Sequence, residues 1–303
     1  MLVVLSGATG TGKTGLSLDL AEALAAAGGR AEIVNADSMQ LYRGMDVGTA
    51  KLPPAERRGI PHHAFDLWAV TEAASVAAYR DAARAAIADI ESRGVTPILV
   101  GGSGLYVESV LRELEFPATD ADLRADLERQ GESMGSDALW RRLAEEDPVA
   151  ASRIHSANLR KVVRALEVVT LTGKPFAASL PDTAPLWRPA LRFTVDVPNE
   201  PLAERLADRA RRMWWEQGLL EEVRQLLPLG LADGPTASRA IGYAQAMAVL
   251  SGTMTEEEGL AETIRLTWRV VRRQRAWFGR DEEATVLDGL ADDGPARVLA
   301  ALA

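Results

Sequence analysis

The chain has 303 residues, 47% of them hydrophobic, with a formal charge of −9, which is enough for one large α/β core or a core plus a smaller inserted module. The absence of cysteine excludes disulfides, Cys-ligated zinc and thiol catalysis, and three histidines (His62, His63, His155) are too few for a His-rich metal site. No apolar run approaches the ~20 residues of a membrane span, and the N-terminus lacks a basic leader region, so the sequence reads as a soluble cytoplasmic protein without a membrane partner.

The apolar run Leu2-Val3-Val4-Leu5 feeds Gly7-Ala8-Thr9-Gly10-Thr11-Gly12-Lys13-Thr14, a complete G-x-x-x-x-G-K-[ST] phosphate loop. Residues 14–27 then carry Leu16, Leu18, Leu20, Ala23 and Leu24 toward a Gly28-Gly29 stop, as a helix would. In this strand–loop–helix setting the glycines let backbone N–H groups close around phosphate oxygens. Lys13 adds a point charge, and the Thr14 hydroxyl reaches a bound Mg²⁺. The motif leaves open whether phosphate is transferred or merely departs.

Glu32–Asp37 reads as a second strand ending in a carboxylate, residues 74–92 as an alanine-rich amphipathic helix, and Thr96–Gly102 as a buried strand delivering a glycine turn. This order predicts an α/β fold, a P-loop NTPase-like parallel sheet flanked by helices, with Asp37 and Gly101-Gly102-Ser103-Gly104 on the same edge as the phosphate loop. Composition changes after Phe116-Pro117: the acidic, helical stretch 116–155 reads as a small helical insertion domain, leaving 1–115 and 156–303 as the catalytic core. A helix starts near Ser156-Ala157-Asn158 and ends at Gly173-Lys174-Pro175, prolines 181, 185 and 189 mark a loop, and Leu191–Val197 is a strand. Helices are expected from there almost to the end of the chain.

Charge is segregated. Residues 113–147 hold eleven acids against four arginines, whereas 265–280 holds six arginines and no acid, with Trp268, Trp277 and Phe278 among them. Arg153, Arg160, Lys161 and Arg164 form a second island. Two readings of the 265–280 run stand side by side: a local RNA-binding surface in an acidic chain, or a solvated helix face with its aromatics turned inward. The chain uses four lysines against thirty arginines. Lys13 is therefore retained where a compact ammonium fits phosphate and a guanidinium fork does not, and Lys51 is a candidate for a second such position.

Asp37 has three readings: general base on an acceptor, magnesium ligand beside Thr14, or cap of the following turn. Arg205, Arg209 and Arg212 recur along one helical face, which could clamp a diphosphate or simply be solvated. His62-His63 lacks metal-ligand partners at a recognised spacing and reads as a turn or as a pair that supports other site residues from behind.

Taken together, Gly7–Thr14, the block Asn35–Lys51 (N-A-D-S-M-Q-L-Y-R-G-M-D-V-G-T-A-K), Pro61-His62-His63, Val100–Tyr106, Arg160–Glu167, Ile241-Gly242-Tyr243 and Arg273–Phe278 resemble the bacterial tRNA dimethylallyltransferases, the IPP transferase family. The resemblance implies transfer of a dimethylallyl group from dimethylallyl diphosphate to N6 of the adenosine 3′ to the anticodon, with tRNA as partner, Mg²⁺ as cofactor and a monomeric enzyme. It implies Asp37 as the catalytic aspartate, helped by Lys13 and Thr9. Gly7, Ala8, Thr9, Gly10, Thr11, Gly12, Lys13, Thr14 and Arg209 would bind diphosphate, with Arg205 a rival for Arg209 and Thr14 at the metal. The segments matching tRNA contacts are Asp37-Ser38-Met39-Gln40, Ser103, Arg160-Lys161-Val162-Val163-Arg164 and Arg239-Ala240-Ile241-Gly242-Tyr243-Ala244. Ala8 and Leu52 replace prolines usual in the family, and Ala244 replaces a common basic residue. Two rival functions use the same loop: a small-molecule kinase with Asp37 deprotonating a hydroxyl, and an RNA-binding NTPase.

Overall fold

The computed structural model describes residues 1–117, 119–176 and 184–302. The apolar N-terminal run forms β1 (Leu2–Gly7), buried along its whole length, and the phosphate loop leads into α1 (Lys13–Ala26). There follow β2 (Ala31–Asn35), the two-residue β3 (His62–His63), α2 (Val76–Ser92), β4 (Thr96–Gly101) and α3 (Gly104–Leu111). The strand expected to reach Asp37 stops two residues earlier, so Asp37 stands on the loop beyond the strand end.

After the helical segment described below come β5 (Ala190–Asp196), α8 (Asn199–Trp215), α9 (Leu219–Leu226), α10 (Tyr243–Leu250), α11 (Glu256–Phe278), β6 (Thr285–Asp288) and α12 (Gly294–Leu302). The expectation of helices alone after residue 197 is corrected by β6. Four residues pairing along one neighbour are too short to show a period of two.

The strands form one sheet in the order β3-β2-β4-β1-β5-β6, and every neighbouring pair is parallel. All C-terminal strand ends therefore open on one edge, with β1 between β4 and β5. Side chains alternate across the sheet. Leu2, Val4, Val34 and Leu99 meet Tyr79, Ala83, Ile87 and Ile90 of α2 on one face. Val3, Leu5, Ile33 and Ile98 meet Leu18, Leu20 and Ala21 of α1 and Val298 of α12 on the other.

His62 and His63 lie on the edge strand β3 rather than in a turn. His63 Nε2 contacts Glu32 Oε2 at 2.7 Å, and Arg93 grips the same carboxylate at 2.6 and 2.8 Å. The Arg93 hydrogen bond, opposed by burial and aided by His63, holds the Glu32 carboxyl down at about 2. His63, Glu32 and Arg93 thus lock the sheet edge, while His62 borders the cavity over the phosphate loop.

The described residues within Glu113–Pro185 form a second compact unit, so the expected insertion 116–155 is too short at its C-terminal side. It contains α4 (Ala121–Met134), α5 (Ser136–Glu146), α6 (Pro148–Arg153) and α7 (Leu159–Thr172), the last started by the Asn158 cap and ended by Gly173. The physical reason is the partner of α7: Val162, Val163 and Leu166 pack with Leu127, Leu139, Leu143 and Ile154 of the acidic helices. Glu167, fully buried in the unit, accepts from Asp120 N–H at 2.9 Å and pairs with Arg124 and Arg164.

If α7 belongs to this unit, Leu166→Ala opens a cavity costing about 2–5 kcal/mol inside it alone. Amide hydrogen exchange should accelerate through α4, α5 and α7 while β1 and β4 keep their protection; loosening of the strands instead would return α7 to the sheet.

Candidate active site

Gly10 and Gly12 hold φ of 85° and 96°, the left-handed region that lets the loop turn its N–H groups inward. A cavity of about 360 Å³ lies over this turn. Thr9, Gly10, Gly12, Lys13 and Thr14 line it, together with Asp37, Gln40, Gly102, Arg209 and Gln274. Gly7, Ala8 and Thr11 are buried, so a diphosphate would meet them through the backbone: Ala8 packs on Val197, Leu202 and Leu206, and its carbonyl accepts from Thr11 Oγ1 at 2.9 Å and Lys13 Nζ at 2.6 Å.

Two cations and one anion face this cavity. Enclosure pulls the Lys13 pKa down to about 8, against the Asp37 carboxylate, which raises it, and with the Arg209 charge lowering it further. Burial also lowers Arg209, again opposed by Asp37 and reinforced by Arg212. Arg209 Nη1 donates to Thr9 Oγ1 at 3.0 Å. Arg205 instead points to Gly289 O at 3.3 Å and lines, with Arg212, a separate surface depression on α8. Of the three arginines on that face, Arg209 is the one at the phosphate loop.

The Asp37 loop is built by its own side chains. Asn35 Oδ1 accepts from Asp37 N–H at 3.0 Å, and one Asp37 oxygen accepts from Met39 N–H at 2.9 Å. The capping reading of Asp37 is thus satisfied at Oδ1 while the residue still lines the cavity. Ser38 N–H donates to Ser103 Oγ at 3.1 Å, joining the ends of β2 and β4. Gln40 donates to Thr49 O and Ala50 O at 3.1 and 3.3 Å, which places that loop on the cavity wall.

Several expected tRNA-contacting residues serve the interior instead. Val162 and Val163 are core of the helical unit, and Ala240 and Tyr243 are core of the α8–α11 layer. Tyr243 is fully buried, with its ring where a Gly48 side chain would be and its hydroxyl donating to Glu222. Glu222 also accepts from the N–H groups of Asp46, Val47 and Gly48. Arg160, Lys161 and Arg239 are exposed, Arg164 is committed to Glu167, Ile241 and Ala244 are half-buried, and Gly242 is buried.

Lys51 is retained as lysine for an internal reason. Its buried ammonium gives its three protons to Tyr42 O, Asp46 Oδ1 and Asp66 Oδ1 at 2.8, 2.6 and 2.6 Å, away from the phosphate cavity. The arginine run on α11 divides between both of its readings. Phe278 is core, Trp268 and Trp277 are half-buried, and Arg275 pairs with Asp196, whereas Arg269, Arg272, Arg273 and Arg280 are exposed.

Gln274, part of the Arg273–Phe278 motif but given no role by the sequence, is a further site residue: Thr9 N–H donates to its Oε1 at 2.9 Å, and its Nε2 donates to Gly102 O at 2.8 Å. An uncharged amide inside Arg272-Arg273-Gln274-Arg275 was the available signal.

A phosphate loop at the edge of a parallel sheet, cations enclosed around it and a carboxylate in the same cavity define an α/β enzyme that handles a phosphate ester. The chain belongs to the IPP transferase family, whose pattern matches residues 40–281, beginning just after Asp37. It is 55% identical over 291 residues to the tRNA dimethylallyltransferase of Clavibacter sepedonicus, spanning 96% of this chain and 94% of that one. The corresponding figures for Thermobifida fusca are 52% over 280 residues, 92% and 87%. Its fold is similar to the solved tRNA isopentenylpyrophosphate transferase of Bacillus halodurans (TM-score 0.70, 35% identity, 99% of this chain and 95% of that one). It is also similar to a eukaryotic dimethylallyltransferase acting on tRNA (TM-score 0.80, 28% identity, 99% and 77%).

Because Lys13 loses its proton as pH rises through about 8, inorganic pyrophosphate should bind more weakly above that pH after correction for the ligand's own ionisation. Calorimetric titration of wild type and Lys13→Met checks this. The variant should bind weakly with a flat profile, and a flat wild-type profile would separate Lys13 from the phosphate.

Proposed function

We propose that the cavity over the phosphate loop is where a dimethylallyl group passes from dimethylallyl diphosphate to N6 of the adenosine 3′ to the anticodon. Transfer of a dimethylallyl group to a tRNA adenosine near the anticodon is the activity of the family to which the chain belongs. The observation that carries the residue assignment is the shared cavity: Asp37 lies within the electrostatic reach of both Lys13 and Arg209, in the space lined by Thr9, Gly10, Gly12 and Thr14.

The exocyclic amine is a weak nucleophile because its lone pair is delocalised into the ring, so a base contributes about 10²–10⁴-fold to rate. In the proposed step the amine nitrogen attacks the first carbon of the dimethylallyl group. The carbon–oxygen bond breaks, the electron pair leaves with diphosphate, and the amine proton goes to Asp37. Lys13, Arg209 and the backbone N–H groups of the loop stabilise the negative charge that grows on the bridging oxygen. The adenosine must leave the stacked anticodon loop to reach this point. Exposed Arg160, Lys161, Arg239, Arg272 and Arg273 supply phosphate contacts on their respective units.

Among the described residues no group of three or more His, Cys, Asp or Glu side chains is placed to hold a metal ion. The Thr14 hydroxyl at the phosphate-loop cavity fits Mg²⁺, which keeps several waters and binds through substrate phosphate oxygens with one or two protein ligands. Exposed Thr14, on the cavity wall, would hold it. When bound, the ion would neutralise charge on the diphosphate. No described helix is long and apolar enough to cross a membrane, and the proposal includes a cytoplasmic location, where tRNA is found.

Incubation with labelled dimethylallyl diphosphate and unmodified tRNA, followed by nucleoside analysis, tests the reading. Label should appear in N6-dimethylallyladenosine, with diphosphate release requiring both substrates; ATP turnover without tRNA would favour a kinase or NTPase. Asp37→Ala should lower kcat by about 10²–10⁴-fold while tRNA binding survives. Near-normal turnover would remove Asp37 as the base.

A further inference from the structure

We infer that Gln274 is a positioning residue that sets the distance between the donor-binding phosphate loop and the acceptor-side turn Gly101–Gly104. The inference rests on the prenyl-transfer reading above. Gln274 reaches the strand ends from α11, and its carboxamide is used at both ends: Oε1 accepts from Thr9 N–H at 2.9 Å and Nε2 donates to Gly102 O at 2.8 Å. One planar group thus ties the loop after β1 to the loop after β4. An amide presents an acceptor and a donor side by side at its tip, which a carboxylate does not.

The turn is shaped to receive this helix. A Cβ on Gly102 would lie 2.5 Å from Gln274 Nε2, and one on Gly104 would lie 2.5 Å from the Trp277 ring. Gln274 and Trp277 are three residues apart and so occupy one face of α11. Two glycines of the Gly101-Gly102-Ser103-Gly104 turn are therefore explained by the seat of two side chains from one helical turn, leaving Ser103 to hold the Asp37 loop through Ser38. Thr9 is fixed twice: Gln274 accepts its N–H, and Arg209 from α8 donates to its hydroxyl.

If diphosphate lies over Thr9 and the acceptor base beside the Asp37–Ser103 edge, the Gln274 bridge spans the reacting pair. Loss of alignment on the order of 1 Å costs about 10²-fold in rate. Gln274→Glu keeps size but sets an acceptor against the Gly102 carbonyl, and Gln274→Asn keeps both functions but falls one methylene short. Both should lower kcat by about 10- to 100-fold with both substrates saturating, with the tRNA KM within about threefold of wild type. Gln274→Asn adds no charge and carries the test if Gln274→Glu does not fold. A folded Gln274→Asn with kcat within twofold of wild type would overturn the inference, as would a variant whose one change is a lower Tm. Wild-type enzyme that releases no diphosphate with tRNA and dimethylallyl diphosphate would instead overturn the prenyl-transfer reading.

Discussion

The site depends on how closely the strand ends are drawn together. A side chain on Gly101 would collide with the Ala36 carbonyl at the end of β2, and one on Gly7 would collide with the Val195 carbonyl of β5. Bare backbone is what allows β1, β2, β4 and β5 to deliver their loops into one small space. Everything chemical follows from that convergence: the phosphate loop arrives from β1, Asp37 from beyond β2, and Ser103 from beyond β4. Helices then fix the loops from outside, α8 through Arg209 and α11 through Gln274.

Convergence has an electrostatic cost. Lys13 and Arg209 are enclosed near each other, and burial lowers the pKa of both, while the Asp37 carboxylate works the other way. Two cations held partly desolvated around a glycine turn are poorly matched to each other and well matched to an incoming anion, whose binding relieves their repulsion. Lys51 shows the opposite solution: its ammonium is buried too, but three oxygens of the protein complete its shell. The same residue type is thus made receptive in one place and inert in another.

Much of this was legible in the sequence because it is local. The phosphate loop, the helix behind it and the Asn158 cap are written in adjacent residues, and the fully apolar runs of β1 and β4 announce strands buried on both faces. What escaped depends on partners distant in the chain. The apolar stripe of α7 reads identically whether it packs on the sheet or on α4 and α5, so the sequence alone does not fix the unit boundary. Tyr243 sits in a motif that suggested RNA contact, yet its hydroxyl closes a cluster around Glu222 that ties down the loop at Val47. Gln274 shows in the sequence only as an uncharged amide among arginines, since its meaning lies in Thr9 and Gly102.

A phosphate loop ordinarily invites attack at phosphorus. Here the cations share their cavity with a carboxylate, a set that either chemistry can use, and membership of a dimethylallyl-transferring family is what favours a leaving diphosphate with carbon attacked. The account turns on which bond breaks. Dimethylallyl diphosphate carrying heavy oxygen at the bridging carbon–oxygen–phosphorus position distinguishes the two outcomes by mass spectrometry of the products. Recovery of the label in released diphosphate, with prenylated adenosine in the tRNA, is the predicted result. Label retained on the five-carbon fragment would show phosphorus–oxygen cleavage and contradict the account.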